Sequence, residues 1–95
     1  DTSWAVEILV VARRTDADGE TAAYKILGAI DRQTNAASTA LVGTPSYTVI
    51  AEDDADWDVA ISADTTNGAL VITVTGEADK TIRWVASVTI SHVSG

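Results

Sequence analysis

The chain contains no cysteine, no methionine and no phenylalanine, and only one proline and one histidine among its 95 residues. Without cysteine there is neither a disulfide framework nor a thiolate metal site. The histidine, His92, lies near the chain end and outside any G-x-S-x-G context, so a Ser-His-Asp triad has no support. Neither G-x-x-x-x-G-K nor G-x-G-x-x-G occurs, which removes the motifs that cradle nucleotide phosphates, and no cofactor is expected. Basic residues are scarce, 6 Lys and Arg against 14 Asp and Glu, and the net charge of −8 opposes contact with nucleic acid or an anionic membrane surface. Long apolar runs are missing as well. Stretches such as Ile8 to Ala12 fall far short of a membrane span, and the N-terminal residues lack a basic region followed by an apolar one. A start at Asp1 without methionine is what a fragment of a longer protein would show.

What the chain does contain is Val, Ile, Leu and Ala within a hydrophobic fraction of 46%, together with abundant Thr, a mixture that favours strands. Its length suits one domain over residues 1–95 with a single thin core. Turn signals divide it into about seven strands: Ser3 to Thr15, Thr21 to Arg32, Thr39 to Val42, Ser46 to Glu52, Trp57 to Ala63, Ala69 to Thr75, and Thr81 to Val93. No segment has helical periodicity.

Three hairpins keep like faces together, which matters because a one-residue slip sends apolar side chains to the wrong side. Around Asp16 to Glu20, pairing sets Ala12 opposite Tyr24, Val10 opposite Ile26, Val6 opposite Ile30 and Leu9 opposite Leu27. Around Asp64 to Gly68, Ile61 meets Leu70, Val59 meets Ile72 and Trp57 meets Val74. Around Gly76 to Lys80, Val74 meets Ile82, Ile72 meets Trp84 and Leu70 meets Ala86. The last two share the Leu70, Ile72, Val74 face, so strands five to seven are expected to form a meander. The first strand differs: Ala5, Leu9 and Val11 are apolar on the face opposite Trp4, Val6, Ile8 and Val10, and that second face needs a cover. The economical architecture is an all-β, antiparallel β-sandwich, jelly-roll-like or immunoglobulin-like.

The acidic run Glu52 to Asp58 is the strongest candidate for a site. Asp54, Asp56 and Asp58 have the spacing of a calcium loop, but Val59 stands where the loop needs Gly and Thr65 where it needs Glu, so no metal is expected. A solvated loop with charges that discourage strand pairing is the better reading. Fourteen acidic residues make some close carboxylate pair inevitable, so a glycosidase pair carries no weight and no catalytic residue is assigned. Trp57 and Trp84 fall on the apolar parity of their strands and are assigned to the core; Trp4, near a free end, stays open as an aromatic platform. Tyr47 follows Pro45 and is expected at the surface. Arg83 points outward opposite Thr73, and His92 is assigned to the sandwich rim or a subunit contact.

The stretch Ala63-Asp64-Thr65 with Gly68 to Gly76, followed by Thr81 to Ala86, resembles a segment near the C-terminus of tail fibre, tailspike and related structural proteins of tailed bacteriophages. Val10 to Thr15, Ala23-Tyr24-Lys25, Ile30-Asp31-Arg32 and Ala40 to Pro45 are similar to that family too, so the likeness covers most of the chain. The resemblance implies a C-terminal fibre module in the virion, acting outside the cell, commonly homotrimeric, that registers the trimer, binds a bacterial surface glycan or protein, or both. Contact with the receptor is assigned to Tyr47, Asp53, Asp54 and Asp56, and the subunit interface to Ala5, Leu9, Val11, Arg83 and His92. Two alternatives remain: a decoration or head-fibre module that touches no receptor, and part of a polysaccharide-cutting tailspike. Residues Ile90 to Gly95 are left open as a strand that continues across a neighbouring subunit.

Overall fold

The computed structural model describes residues 1–94; Gly95, at the end of that last segment, lies outside the described residues. Seven strands account for the architecture: β1 (Thr2–Arg14), β2 (Thr21–Arg32), β3 (Ala40–Leu41), β4 (Ser46–Glu52), β5 (Asp58–Asp64), β6 (Ala69–Thr75) and β7 (Ile82–Ser94). A 3-10 turn, Ala36–Ser38, is capped by the Asn35 side chain, which accepts from Ser38 N at 3.1 Å. The fold is all-β and antiparallel.

β1 is central in the larger sheet, flanked by β2 and β7, and both β3 and β4 pair with the far edge of β2. β5 and β6 form a separate two-stranded layer. Its inward face places Val59 and Ile61 against Val6, Ile8, Val10, Tyr24 and Ile26, and Trp57, just before β5, joins them at 1% exposure. Period-2 alternation explains which residues are inside: every buried member of β1 has an even number. Gly28 leaves room for the tip of the Ile61 side chain between the layers. A Cβ there would lie 2.9 Å from Ile61 Cδ1, so a side chain at this point of β2 would force the tip of Ile61 to move.

Local turn chemistry fits the sequence. Asp64 Oδ1 accepts from Thr66 N (2.9 Å) and Asn67 N (3.1 Å), and Gly68 completes the turn at φ +68°. Asp79, between β6 and β7, takes φ +65°, a conformation that Asp tolerates better than most residues.

Three expectations need correction. β7 does not pair with β6; it lies beside β1 along its whole length, with Ala12 opposite Trp84 and Arg13 opposite Arg83, so Arg83 does not face Thr73. The expected meander is therefore a hairpin plus a long return strand. In the first hairpin Val10 faces Tyr24, Ile8 faces Ile26 and Leu9 faces Lys25, two residues from the expected register. In the second, Ile61 faces Ile72 and Val59 faces Val74, again a shift of two. Each shift preserves the faces, because side-chain alternation repeats every two residues.

The molecule is long and thin, 49 × 23 × 18 Å with a radius of gyration of 15.1 Å. A compact chain of this length has a radius of gyration of about 12 Å. Its accessible surface, 5755 Å², exceeds the roughly 5,200 Å² of a typical folded chain of this mass. The excess arises because two strands cannot cover a sheet built on strands of 12 and 13 residues.

Candidate functional site

One end of the sandwich gathers three connections: the β1–β2 turn, the β4–β5 loop and the β6–β7 loop. Their charges converge on Lys80. Its ammonium lies 2.8 Å from Glu20 Oε2, 2.8 Å from Asp54 Oδ2 and 3.1 Å from Glu77 Oε2. Arg14 extends the network, donating from Nε to Asp16 Oδ1 at 2.6 Å and from Nη1 to Glu20 Oε1 at 2.9 Å. Backbone bonds fasten the same loops: Thr15 N donates to Thr81 O at 2.8 Å, and Asp53 N to Thr21 O at 3.1 Å.

This charge arrangement sets the titration of the end. A hydrogen bond with Glu77, followed by the Lys80 ammonium, holds the Asp54 carboxyl well below the usual carboxylate range. Glu77 moves the opposite way, upward, mainly because it hydrogen-bonds to the Asp54 carboxylate. Asp54 and the Glu20 carboxylate in turn hold the Lys80 proton more tightly than usual. Asp54, Asp56 and Glu77 bring one oxygen each to within 4.8 Å of one another. A cation added there would compete with Lys80, whose ammonium already contacts two of those three carboxylates.

The structure brings the expected receptor residues only partly together. Asp53 Oδ2 accepts from Thr21 N at 2.8 Å, and Asp54 is engaged with Lys80, so both stabilise the loop end. Asp56 is exposed, its backbone N–H donating to Asp54 Oδ1 at 2.9 Å. Tyr47 is exposed but lies away from the loop on β4, where its hydroxyl oxygen accepts from Ile61 N at 2.9 Å and links the layers. Behind the loop the buried Tyr24 hydroxyl donates to Glu52 Oε2 at 2.5 Å and sits 3.1 Å from the Trp57 carbonyl oxygen. Burial first, then Glu52, raises its pKa well beyond the ordinary tyrosine range. Glu20, Glu77 and Lys80 were not legible as partners, being scattered over 61 residues of sequence.

At the opposite end a cleft of about 240 Å³ opens between the layers, lined by Trp4, Ile30, Arg32, Thr39, Gly68 and Leu70 among others. Trp4 is half-buried there.

The expected interface residues are all exposed. Ala5, Leu9 and Val11 lie on the outer face of the large sheet beside Leu27 and Val85, with Leu9 at 52% and Val85 at 53% exposure. No element among the described residues covers this face. Arg83 sits at its end, directly opposite Arg13, a like-charge pairing that destabilises a sheet unless acid is near. His92 has inner-face parity, opposite Trp4.

Comparison with protein families, curated proteins and solved structures finds no match.

Proposed function

We propose that this chain is a non-enzymatic structural and adhesion module of a tailed-bacteriophage fibre. In the virion it assembles as a homotrimer and presents its acidic loop end to a bacterial surface glycan or protein. The observation that supports the reading is the uncovered apolar face of the large sheet, Ala5, Leu9, Val11, Leu27 and Val85, on a chain of net charge −8. Exposed apolar patches of this kind mark association surfaces. The close carboxylates Asp54 and Glu77 are both held by Lys80.

Fluorescently labelled protein should stain host bacteria, and Asp56→Lys should reduce that staining without lowering the melting temperature. Asp53 and Asp54 are unsuitable for this purpose, since both hold loops together. One observation favours the decoration module as second reading: Asp16, Glu20, Asp54 and Glu77 are already engaged by Arg14 and Lys80. Protein that leaves host cells dark yet adds to particles lacking it would decide for that reading.

A further inference from the structure

Both outer edges of the large sheet are free among the described residues: β7 on one side, and on the other β4, which runs beside β2. Edges are ordinarily blunted by lysine, proline, a bulge or inward charge; β4 follows Pro45 and carries a bulge at Ile50, between Val49 and Ala51, which leaves the stretch from Ser46 to Val49 regular. Here residues 84–94 carry no Asp, Glu, Lys or Arg, and residues 46–51 carry none either, although the chain holds 20 such residues in all (6 basic and 14 acidic). The two edges are also apolar where they are exposed: Tyr47 45% and Val49 56% on β4, Val88 42% and Ile90 46% on β7.

Strand direction makes the edges complementary. Along the order β4, β2, β1, β7 each neighbour is antiparallel, so β4 and β7 run in opposite directions. A second copy rotated about an axis along the strands therefore brings its β4 antiparallel to β7 of the first. The observed registers fix the levels. Thr48 lies level with Lys25, Leu9 and Ser87, and Tyr47 with Ile26, Ile8 and Val88. Carried across the boundary at constant level, Tyr47 meets Val88, Val49 meets Ala86, Thr48 meets Ser87 and Ser46 meets Thr89. Apolar residues then share the inner face and hydroxyls the outer one, pairings that stabilise antiparallel ladders. The same alignment brings the acidic end of β4, Glu52 and Asp53, level with Trp84 and Arg83, so that carboxylates of one copy lie beside the Arg13 and Arg83 pair of the next.

We infer that copies of this chain join head to tail, the edge of β7 in one against the edge of β4 in the next, with Thr48 level with Ser87. This rests on the self-assembly reading above and adds to its apolar outer face a contact between strand edges. A heterologous contact of this kind closes into a ring when the rotation permits. Pairing β7 with β7 about a two-fold axis would leave the β4 edge and its exposed Tyr47 and Val49 bare.

The absence of native cysteine makes disulfide trapping clean. Thr48→Cys and Ser87→Cys, both at exposed positions, are made singly and mixed, then oxidised under native conditions. A linked dimer from the mixture, absent after oxidation in denaturant, is the expected result, and the double variant should run as covalent trimers. Crosslinking of Thr48→Cys with Thr89→Cys in place of Ser87→Cys would shift the register by two residues and overturn the stated alignment. Crosslinking of Ser87→Cys with Thr89→Cys, but of neither with Thr48→Cys, would replace the head-to-tail contact by a two-fold one. Light scattering on the untrapped protein separates the two levels of failure: three chains without a Thr48 crosslink sinks this contact alone, whereas a single chain sinks the assembly reading as well.

Discussion

Lys80 Nζ and Glu20 Oε2, sixty residues apart in sequence, meet at 2.8 Å and close the loop end of the sandwich. With Asp54 and Glu77 on the same ammonium, this is a network and not an isolated surface pair, the situation in which ion pairs do contribute to stability. Lys80→Met should lower the melting temperature at pH 7, by an amount that shrinks as salt is raised. An unchanged melting temperature at low salt would mean that the three loops are held by their backbone bonds alone.

Glu77 gives a pH signature. Raised above its ordinary 4.5 by the hydrogen bond with Asp54, its proton adds stability that is fully present below about pH 4.5 and is lost as pH rises through the folded value. Asp54, Glu20, Asp16 and Asp64 run in the other direction, each held low, so their contributions are present above about pH 4 and are lost as pH falls through their folded values. Glu77→Gln should therefore melt above the parent at pH 7, with the difference closing toward pH 4. A variant that melts lower at pH 7 would show that the Glu77 contact with Lys80 outweighs its repulsion from Asp54.

Gly28 admits Ile61 to within contact of β2. Gly28→Val should destabilise by about 1–3 kcal/mol through overpacking, read from chemical denaturation. Adding Ile61→Ala to the valine variant should recover part of the loss if the clash is with that side chain.

The Tyr24 hydroxyl is buried with a carboxylate partner. Tyr24→Phe should cost about 1.5 kcal/mol, the lower end for hydrogen bonds to charged groups, because Glu52 is only partly buried. A neutral result would mean that water replaces the hydroxyl at Glu52.

Strand positions were legible because alternation and turn residues announce them: Thr21–Arg32, Ser46–Glu52 and Ala69–Thr75 match to the residue. Register was legible only modulo two, since Ile26 or Tyr24 opposite Val10 puts the same faces inside. The partner of β7 is ambiguous in the sequence for a related reason. Its even-numbered side chains suit β6 or β1 equally, and short loops favour the nearer strand; length separates the two, as β7 and β1 both span 13 residues whereas β6 spans 7. Acidic loop residues such as Asp53 and Asp54 stood out in the sequence, but their roles depend on Thr21 N and Lys80, which only the folded chain brings to them.

Assembly requires that the apolar outer face around Leu9, Val11 and Val85 be a subunit boundary. The most direct measurement is the solution mass by light scattering coupled to size exclusion, at two protein concentrations. A mass of three 9.9 kDa chains at the higher concentration is the predicted result. A mass of one chain at both concentrations would contradict it, because a face that stays open to water in the free protein is not a surface on which the chain assembles.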